Sequence, residues 1–580
     1  MADVIEMKAG QADRAALEAI VDSYLDALVA GDPGRAPFAA DAAFAENGQR
    51  LALGTAAWRT IEALGRYRHV FADPDRGDVG VIANVVERGA GAILIVRLKV
   101  ADGAIVEAEQ FVSRDPDGFR RYEELGAPDA IWLEPVPEAA RQSREALEAV
   151  SWMYFQALER NDGAGIYFFT GDCQRLEHGR KAIATGTDED YGHAETAVSF
   201  TSLKAKQQYQ LGLMGYITRA RDRRALVVDA ERGAVLGSCV FDFDGDVESV
   251  RLTDGSNFRI PSYFRTPRSH QMNEAFKVVR GDVAYIEMTL VEVPHASRPA
   301  WTRRPTAEIR FDAPKPRKGP VEAGDAAALR ALMARVVDAM LANCPCDLPL
   351  AADALCTENG VPVAPGLGIW KSLRARGPLA VLLADPETGQ AGYWGDFDEN
   401  GLYAAVALRL RLEGGWITEL EAIVARPENR QPEGELAEAT HTMFSKPLGI
   451  ELTRGGMTAP AGSAGAPRDT LRAAVEAYAR GGAGAVERRE NGVPAPKDPA
   501  LAVPTRRRTL VADAEAGLVL DLALVDHPGD AAAGDAFAAP ATDLHARLLS
   551  VHGGAVARVD AVVRRTAYGS AGPWDEAIGR

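Results

Sequence analysis

The sequence predicts an α+β protein of four tandem units, each a helix followed by a curved antiparallel sheet of hairpins. Three observations carry this. A helical apolar period returns four times, an alternating phrase ending in glutamate follows each time, and two hairpin signals close each copy. At 580 residues the chain exceeds what one hydrophobic core supports, so three or four domains are expected.

The helices come first. LEAIVDSYLDALVAGD (17–32) aligns without a gap on LEAVSWMYFQALERND (147–162); LMARVVDAMLANCPCD (332–347) and LRAAVEAYARGG (471–482) follow more loosely. Leu17, Ile20, Val21, Tyr24 and Leu28 share one face at helical spacing, which predicts an amphipathic helix. Next stands the phrase: FAADAAFAENG (38–48), FTGDCQRLEHG (169–179), LAADALCTENG (350–360) and the shortened VERRENG (486–492). Its alternation reads as a strand. Its glutamate belongs either to the scaffold or to several copies of an acid–base site.

Then comes D-x-[DE]-x-G, as DPDRG (73–77), DAERG (229–233), DPETG (385–389) and DAEAG (513–517). Asp opens a turn and Gly takes the positive-φ position, so these residues are assigned to hairpin structure. A second hairpin closes each copy, at 96–114, 275–293, 408–426 and 546–565. Its far strand repeats an acid (Glu109, Glu287, Glu421, Asp560), expected to serve the fold, for instance by pairing with an arginine. The joins at 126–143 and 295–324 are Pro-rich and polar, and 453–469 is Gly/Ala/Pro-rich and expected to be flexible. Domain boundaries follow: 1–127, 128–300 with long insertions, 301–452, and a degenerate 453–580.

Composition narrows the function. A net charge of −17 argues against nucleic-acid or anionic-membrane partners, which need basic patches; TRRRTL (505–510) reads as a solvated face. No stretch approaches the ~20 apolar residues of a membrane helix, and the N-terminus lacks signal-peptide character. A cytoplasmic protein is expected. Five cysteines are too few and odd in number for a disulfide framework. Cys344-Pro-Cys346 has no second Cys or His pair at ligand spacing, so no metal is expected. No G-x-S-x-G, H-E-x-x-H or P-loop occurs, and GLGIWK (366–371) is too short for a dinucleotide fingerprint. Cofactor-free chemistry is the consistent reading.

This order of elements, with these phrases, resembles the nuclear transport factor two-like superfamily, the cone-shaped α+β barrels of SnoaL-like cyclases and ketosteroid isomerases. YLDALVAGD (24–32) and FAADAAFAE (38–46) are similar to the isomerase phrases that carry a helix tyrosine and a catalytic acid. The resemblance implies four tandem cones, packed sheet to sheet as internal pseudo-dimers, with further homo-oligomerisation left open. It implies a pocket for proton transfer on an apolar, aromatic or polycyclic small molecule, although many members are non-catalytic.

Under that resemblance the copies differ. Copy one keeps Tyr24 and Glu46, but Val96 stands where the isomerases hold a second acid. Copy two keeps Tyr154 and Glu177 and adds Glu274 at that position. His178 replaces the Asn of E-N-G, Arg175 and Cys173 share its strand, and insertions at 186–212 and 253–273 bring His193, His270, Phe258, Tyr263 and Phe264. The aromatic content favours an ordered lid there. Copy three keeps Glu358 with Val336 in place of the tyrosine. In copy four Tyr478 and Glu490 are only 12 residues apart, too close for a helix end, loop and strand. These last two copies read as structural.

The expected site is therefore Glu177 as base, Tyr154 and protonated Glu274 as oxyanion donors, with His178 or His193 assisting. Tyr24, Glu46 and Trp58 form a secondary site. Structural alternatives stay open: a tyrosine on a helix's apolar face is often core, Glu46 could accept bonds from the Asn-Gly turn, and Trp58 and Trp370 suit core or pocket wall. The activity implied is a cofactor-independent lyase, dehydratase or isomerase. The alternatives are a non-catalytic binding or assembly protein and, less favoured, a hydrolase.

Overall fold

The computed structural model describes residues 13–183, 202–301, 319–426 except 323, 457–480 except 464, 486–494 except 492, 506–529 and 540–570. Within them the chain is a mixed α and β protein with four six-stranded sheets, each preceded by a long helix. The helices are Arg14–Val29, Arg144–Leu158, Ala326–Leu341 and Arg468–Ala479. Three start three residues before the predicted segment, and the unit-three helix starts six before it. In three of them a polar N-cap explains this: Asp13, Ser143 and Asp325 accept the backbone N–H of Ala16, Ala146 and Ala328.

In unit one the strands lie in the order Gln49–Leu51, Phe38–Glu46, Ala104–Ser113, Ala90–Ala101, Asp78–Glu87, Ile61–Asp73, and the other three sheets repeat that order. Hairpin-linked strands are antiparallel, as expected. The phrase strand is antiparallel to the short strand after its turn, but in every sheet it runs parallel to the last strand. No hairpin joins those two strands, so nothing local ties their directions. The closing glycines of D-x-[DE]-x-G all take positive φ, from 59° to 66°, as the turn reading requires.

Both faces of each sheet are apolar, and period-two alternation sorts them. On Ala90–Ala101, Leu94, Val96 and Leu98 pack with Leu17, Val21 and Tyr24 of the unit-one helix. Ile93 and Ile95 point the other way and join Leu226, Leu236 and Ala275 of unit two in a separate core. A sheet apolar on both faces must be covered on both. Units three and four meet in the same manner, with Leu383, Trp394 and Ile423 against Val511, Leu520 and Leu548.

A reciprocal ion-pair exchange fastens these contacts. Arg14, the first residue of the unit-one helix, reaches Asp229 of unit two at 2.5 Å, and Arg144, first on the unit-two helix, pairs with Asp73 of unit one. Arg330 takes Asp513 at 2.7 Å and Arg468 takes Asp385 at 2.9 Å. Residue i of one unit thus meets residue j of the other and the converse, the signature of a twofold-like contact. All four aspartates are buried, and they are the aspartates of D-x-[DE]-x-G. The turn reading was incomplete: Asp229 accepts the Arg232 N–H at 3.0 Å within its turn and also binds the neighbouring unit.

The repeated acid on the last strand serves the fold, as expected. Arg224 of unit two donates to both oxygens of Glu109 at 3.0 and 2.6 Å. Glu421 pairs with Arg409 and Asp560 with Arg558. Glu287 instead accepts from Tyr67 at 3.0 Å and lies 2.7 Å from His69. Two joins also prove to be packing elements. Trp132 is buried against His69, Phe71 and Tyr285. Met457, in the segment expected to be flexible, is buried in the core between units three and four, and Trp394 Nε1 donates to Thr458 O at 3.1 Å.

Candidate functional site

The phrase ends in a two-residue turn whose first member has positive φ: Asn47 (46°), His178 (47°), Asn359 (49°) and Asn491 (47°). That conformation aims the side chain back at the last strand. Asn47 Oδ1 accepts the Val112 N–H at 2.9 Å, Asn359 Oδ1 that of Val424 at 2.8 Å, and Asn491 Oδ1 that of Val563 at 2.9 Å. His178 makes the same clamp with Nε2, accepting the Leu290 N–H at 3.0 Å, while Nδ1 faces Asp115 Oδ2 of unit one at 2.9 Å. Since Nε2 accepts, Nδ1 carries the proton and donates to Asp115. His178 is therefore a clamp between units, and its assignment to the site is corrected. Replacing Asn47 with glycine keeps the backbone angle but removes the clamp, and should cost about 1–3 kcal/mol in urea unfolding. Wild-type stability would contradict this.

Sheet register gives each unit one row of three residues on the helix-facing side. The rows are Glu46–Gln110–Val96, Glu177–Met288–Glu274, Glu358–Ala422–Leu408 and Glu490–Ala561–Arg547. The ends of a row lie two strand spacings apart, about 10 Å. Only unit two has a carboxyl at both ends.

In unit two Tyr154, at the tenth position after Arg144, packs on Phe276 and Tyr209 with ring centroids 4.7 and 5.7 Å away. Glu274 is buried, and its Oε2 has no hydrogen-bond partner. Burial pushes its carboxyl up to about 8, against the opposing pull of the nearby Tyr154 hydroxyl and the Arg175 guanidinium. Burial also carries the hydroxyls of Tyr154 and Tyr209 well above their usual value. At neutral pH all three are proton donors. Glu177, the more exposed end of the row, pairs through Oε1 with Arg175 Nε at 2.8 Å, and Arg175 Nη2 donates to Gln208 Oε1 at 2.6 Å.

Gln208 and Tyr209 were not among the expected site residues. They sit on a short helix, Ala205–Leu211, within the first insertion, and the Tyr209 hydroxyl is buried without a partner. The run KAKQQYQL (204–211) was the available signal, with Ala205, Gln208 and Tyr209 at helical spacing. His193 lies outside the described residues. The second insertion folds as a short hairpin, with Phe258 packed on Leu213, Leu252 and Ile260. Tyr263 donates to Glu292 at 2.7 Å and contacts His270 at 2.8 Å, away from the row.

The raised Glu274 value has a consequence for stability. Between about pH 4.3 and about 8 the folded protein holds a proton that the unfolded chain has released. Stability contributed by the neutral acid is full below that window and is lost as pH rises through it. Wild type should lose stability relative to Glu274→Gln across the window, measured by urea unfolding near both ends. A pH-independent difference would contradict the burial argument.

Unit one brings Tyr24, Glu46 and Trp58 together, yet closes them. Tyr24 donates to Gln110 Oε1 at 2.7 Å, Gln110 Nε2 donates to Glu46 Oε2 at 2.8 Å, and the Ala57 N–H reaches the same oxygen at 3.0 Å. Trp58 packs edge-on to Tyr24 at 5.2 Å. Glu358 repeats this in unit three, accepting the Ile369 N–H at 2.7 Å and pairing with Arg426 at 2.7 Å. In both units the glutamate caps the short helical turn that carries Trp58 or Trp370, and both tryptophans are core residues. Unit three has Val336 at the place of Tyr24, eleventh in a helix whose caps align with those of unit one, as expected.

Unit four keeps the helix and the phrase strand in shortened form. Tyr478 is again the tenth residue after the exchanging arginine, Arg468, and the helix ends at Ala479. The phrase strand is only Glu487–Glu490, so the 12-residue spacing is absorbed by a short helix end and a short strand. A crevice with room for about one water is lined by Tyr478, Glu490, Arg547 and neighbours. Elsewhere, Cys344, Cys346 and Asp347 bring their ligand atoms within 4.8 Å of one another, one ligand fewer than a tetrahedral zinc set. Among the described residues no helix is long and apolar enough to cross a membrane.

Residues 10–112 and 140–290, one stretch in each of the first two units, are similar to a family described as a domain of unknown function, DUF8021. No curated protein matches the chain. Two solved structures align with parts of it. A de novo designed protein with a curved β-sheet is 15% identical over 20% of this chain and 97% of its own, with a TM-score of 0.16. AclR from Streptomyces galilaeus, a proposed hydroxylase, is 15% identical over 22% of this chain and 92% of its own, with a TM-score of 0.15. At these scores neither bears on function.

Proposed function

We propose that unit two is a cofactor-independent acid–base site that moves a proton beside a carbonyl of an apolar, aromatic or polycyclic small molecule, as a lyase, dehydratase or isomerase does. The observation that carries this reading is the row Glu177–Met288–Glu274, which sets a paired carboxylate opposite a buried carboxylic acid. Enolisation needs a base at carbon and donors where the oxyanion develops. Glu177 is the base. Glu274 and Tyr154 donate to the oxygen, and Tyr209 offers a third hydroxyl beside them. A protonated acid in an apolar site is the donor type the ketosteroid isomerases illustrate. The aromatic rings of Phe169, Phe276 and Tyr209 around Tyr154 suit a flat, apolar substrate body.

In this reading each of the four units is a cone of the nuclear transport factor two-like type, paired one with two and three with four. Unit one, closed by Gln110, and unit three, closed by Arg426, act as partners in those pairs. The substrate is sought with enolisable and β-hydroxy aromatic compounds in deuterated water. Protein-dependent deuterium uptake that needs Glu177 supports the assignment, and uptake that survives Glu177→Gln removes it.

A further inference from the structure

We propose that Cys344 and Cys346 form a thiol–disulfide exchange site on unit three, which reacts with small-molecule disulfides such as oxidised glutathione and closes to an internal disulfide. The proposal is independent of the chemistry assigned to unit two. The two sulfurs lie 2.7 Å apart on one turn, part-buried, and both thiols are free.

The repeat supplies an internal control. The turn that reads Asp32-Pro33-Gly34 in unit one reads Cys344-Pro345-Cys346 in unit three, and both wind into one short 3₁₀ turn. The prolines pack alike: a Cβ at Gly54 would meet Pro33 Cγ at 3.2 Å, and one at Gly366 would meet Pro345 Cγ at 3.3 Å. The turn therefore folds without thiols. Asp32 Oδ1 accepts the Gly34 N–H at 3.0 Å, and Asp162 of unit two accepts the Ala164 N–H at 2.9 Å. Cys344 makes no such cap, so the turn does not explain it. Core packing does not either. Cys173, Cys239 and Cys356 are buried as small apolar residues, whereas Cys344 and Cys346 keep partial access to solvent.

Geometry favours an internal bond over a lasting adduct. Pro345 is buried and fixes its own φ, so the ends of the loop are held together before any bond forms. Closing to a disulfide of about 2.05 Å needs less than about 1 Å of travel. The Cys346 sulfur and the Asp347 carboxylate push the Cys344 thiol up to about 11, so Cys344 holds its proton longer and Cys346 attacks first. The Cys346 sulfur gives up its proton, attacks one sulfur of the small disulfide and expels a thiolate, which takes up that proton. The Cys344 sulfur then attacks the Cys346 sulfur, and its own proton leaves with the second expelled thiol. The small disulfide is reduced to two thiols as the protein dithiol is oxidised.

The test is incubation of the full chain with oxidised glutathione, followed by acid quench and titration of free thiols in denaturant. The wild-type count should fall from five to three and return to five with dithiothreitol. Cleavage before Asp338 and Asp347 isolates residues 338–346, which hold both cysteines, and their internal bond should appear there by mass. Cys344→Asp, which restores the residue of units one and two, should stop at a lasting glutathione adduct on Cys346. Cys346→Gly, which restores Gly34 of unit one, should form no internal bond. Five thiols remaining in the wild type, a lasting adduct on it, a bond to any other cysteine, or loss of two thiols in Cys346→Gly would each overturn the proposal.

Discussion

Replacing Arg14 with alanine is expected to destabilise the chain by about 3 kcal/mol, at the low end of what breaking a buried ion pair costs. The position itself is unremarkable, since a partly exposed first-turn residue of a helix usually contributes within about 0.5 kcal/mol. The large effect comes from what is left behind. Asp229 is fully buried at the interface of units one and two and would lose the guanidinium it faces. Adding Asp229→Asn should recover part of the loss, because the amide needs no counter-charge and can still accept the Arg232 N–H. Urea unfolding of the two single variants and the double variant gives the coupling energy. Additive effects would show that the reciprocal exchange does not hold the units together.

Glu177→Gln is expected to lower the rate of proton transfer in unit two by about 10²–10⁴-fold, the usual worth of a positioned general base. Tyr154→Phe should cost about 10²–10³-fold through the lost oxyanion donor. The pH profile separates base from donor. With its carboxyl near 8, Glu274 donates below that value and ceases to as pH rises past it, so the wild-type rate should fall on the alkaline side near 8. Glu274→Gln retains an N–H donor and should keep part of the rate while losing that limb. A limb unchanged in Glu274→Gln would assign it to another group.

The repeat, its helices and its hairpins were legible because apolar period and turn chemistry are local properties. Placing Glu274 as the second acid of unit two required only counting along the closing hairpin, and sheet register sets it opposite Glu177 through Met288. The same count in unit four leads to Arg547, so the place of the second acid holds a guanidinium there. What stayed hidden was long-range. Asp73, Asp229, Asp385 and Asp513 look like turn residues in one dimension, and only the packing of two units shows that each also receives an arginine 71 to 215 residues distant in related pairs. The glutamate of the phrase was ambiguous for the same reason. Its capping partner in units one and three is a backbone N–H eleven residues on, whereas unit two has an insertion after Ile183 and pairs its glutamate with Arg175. His178 misled because a histidine at a turn looks like chemistry, while its positive φ directs it to the strand clamp.

The most direct test of the acid–base site in unit two is deuterium incorporation into an enolisable aromatic ketone, compared between wild type, Glu177→Gln and Glu46→Gln. Wild type and Glu46→Gln should incorporate deuterium at similar rates, because Glu46 is a capping residue, and Glu177→Gln should not rise above the solvent background. Exchange that persists in Glu177→Gln and disappears in Glu46→Gln would contradict the assignment and move the chemistry to unit one.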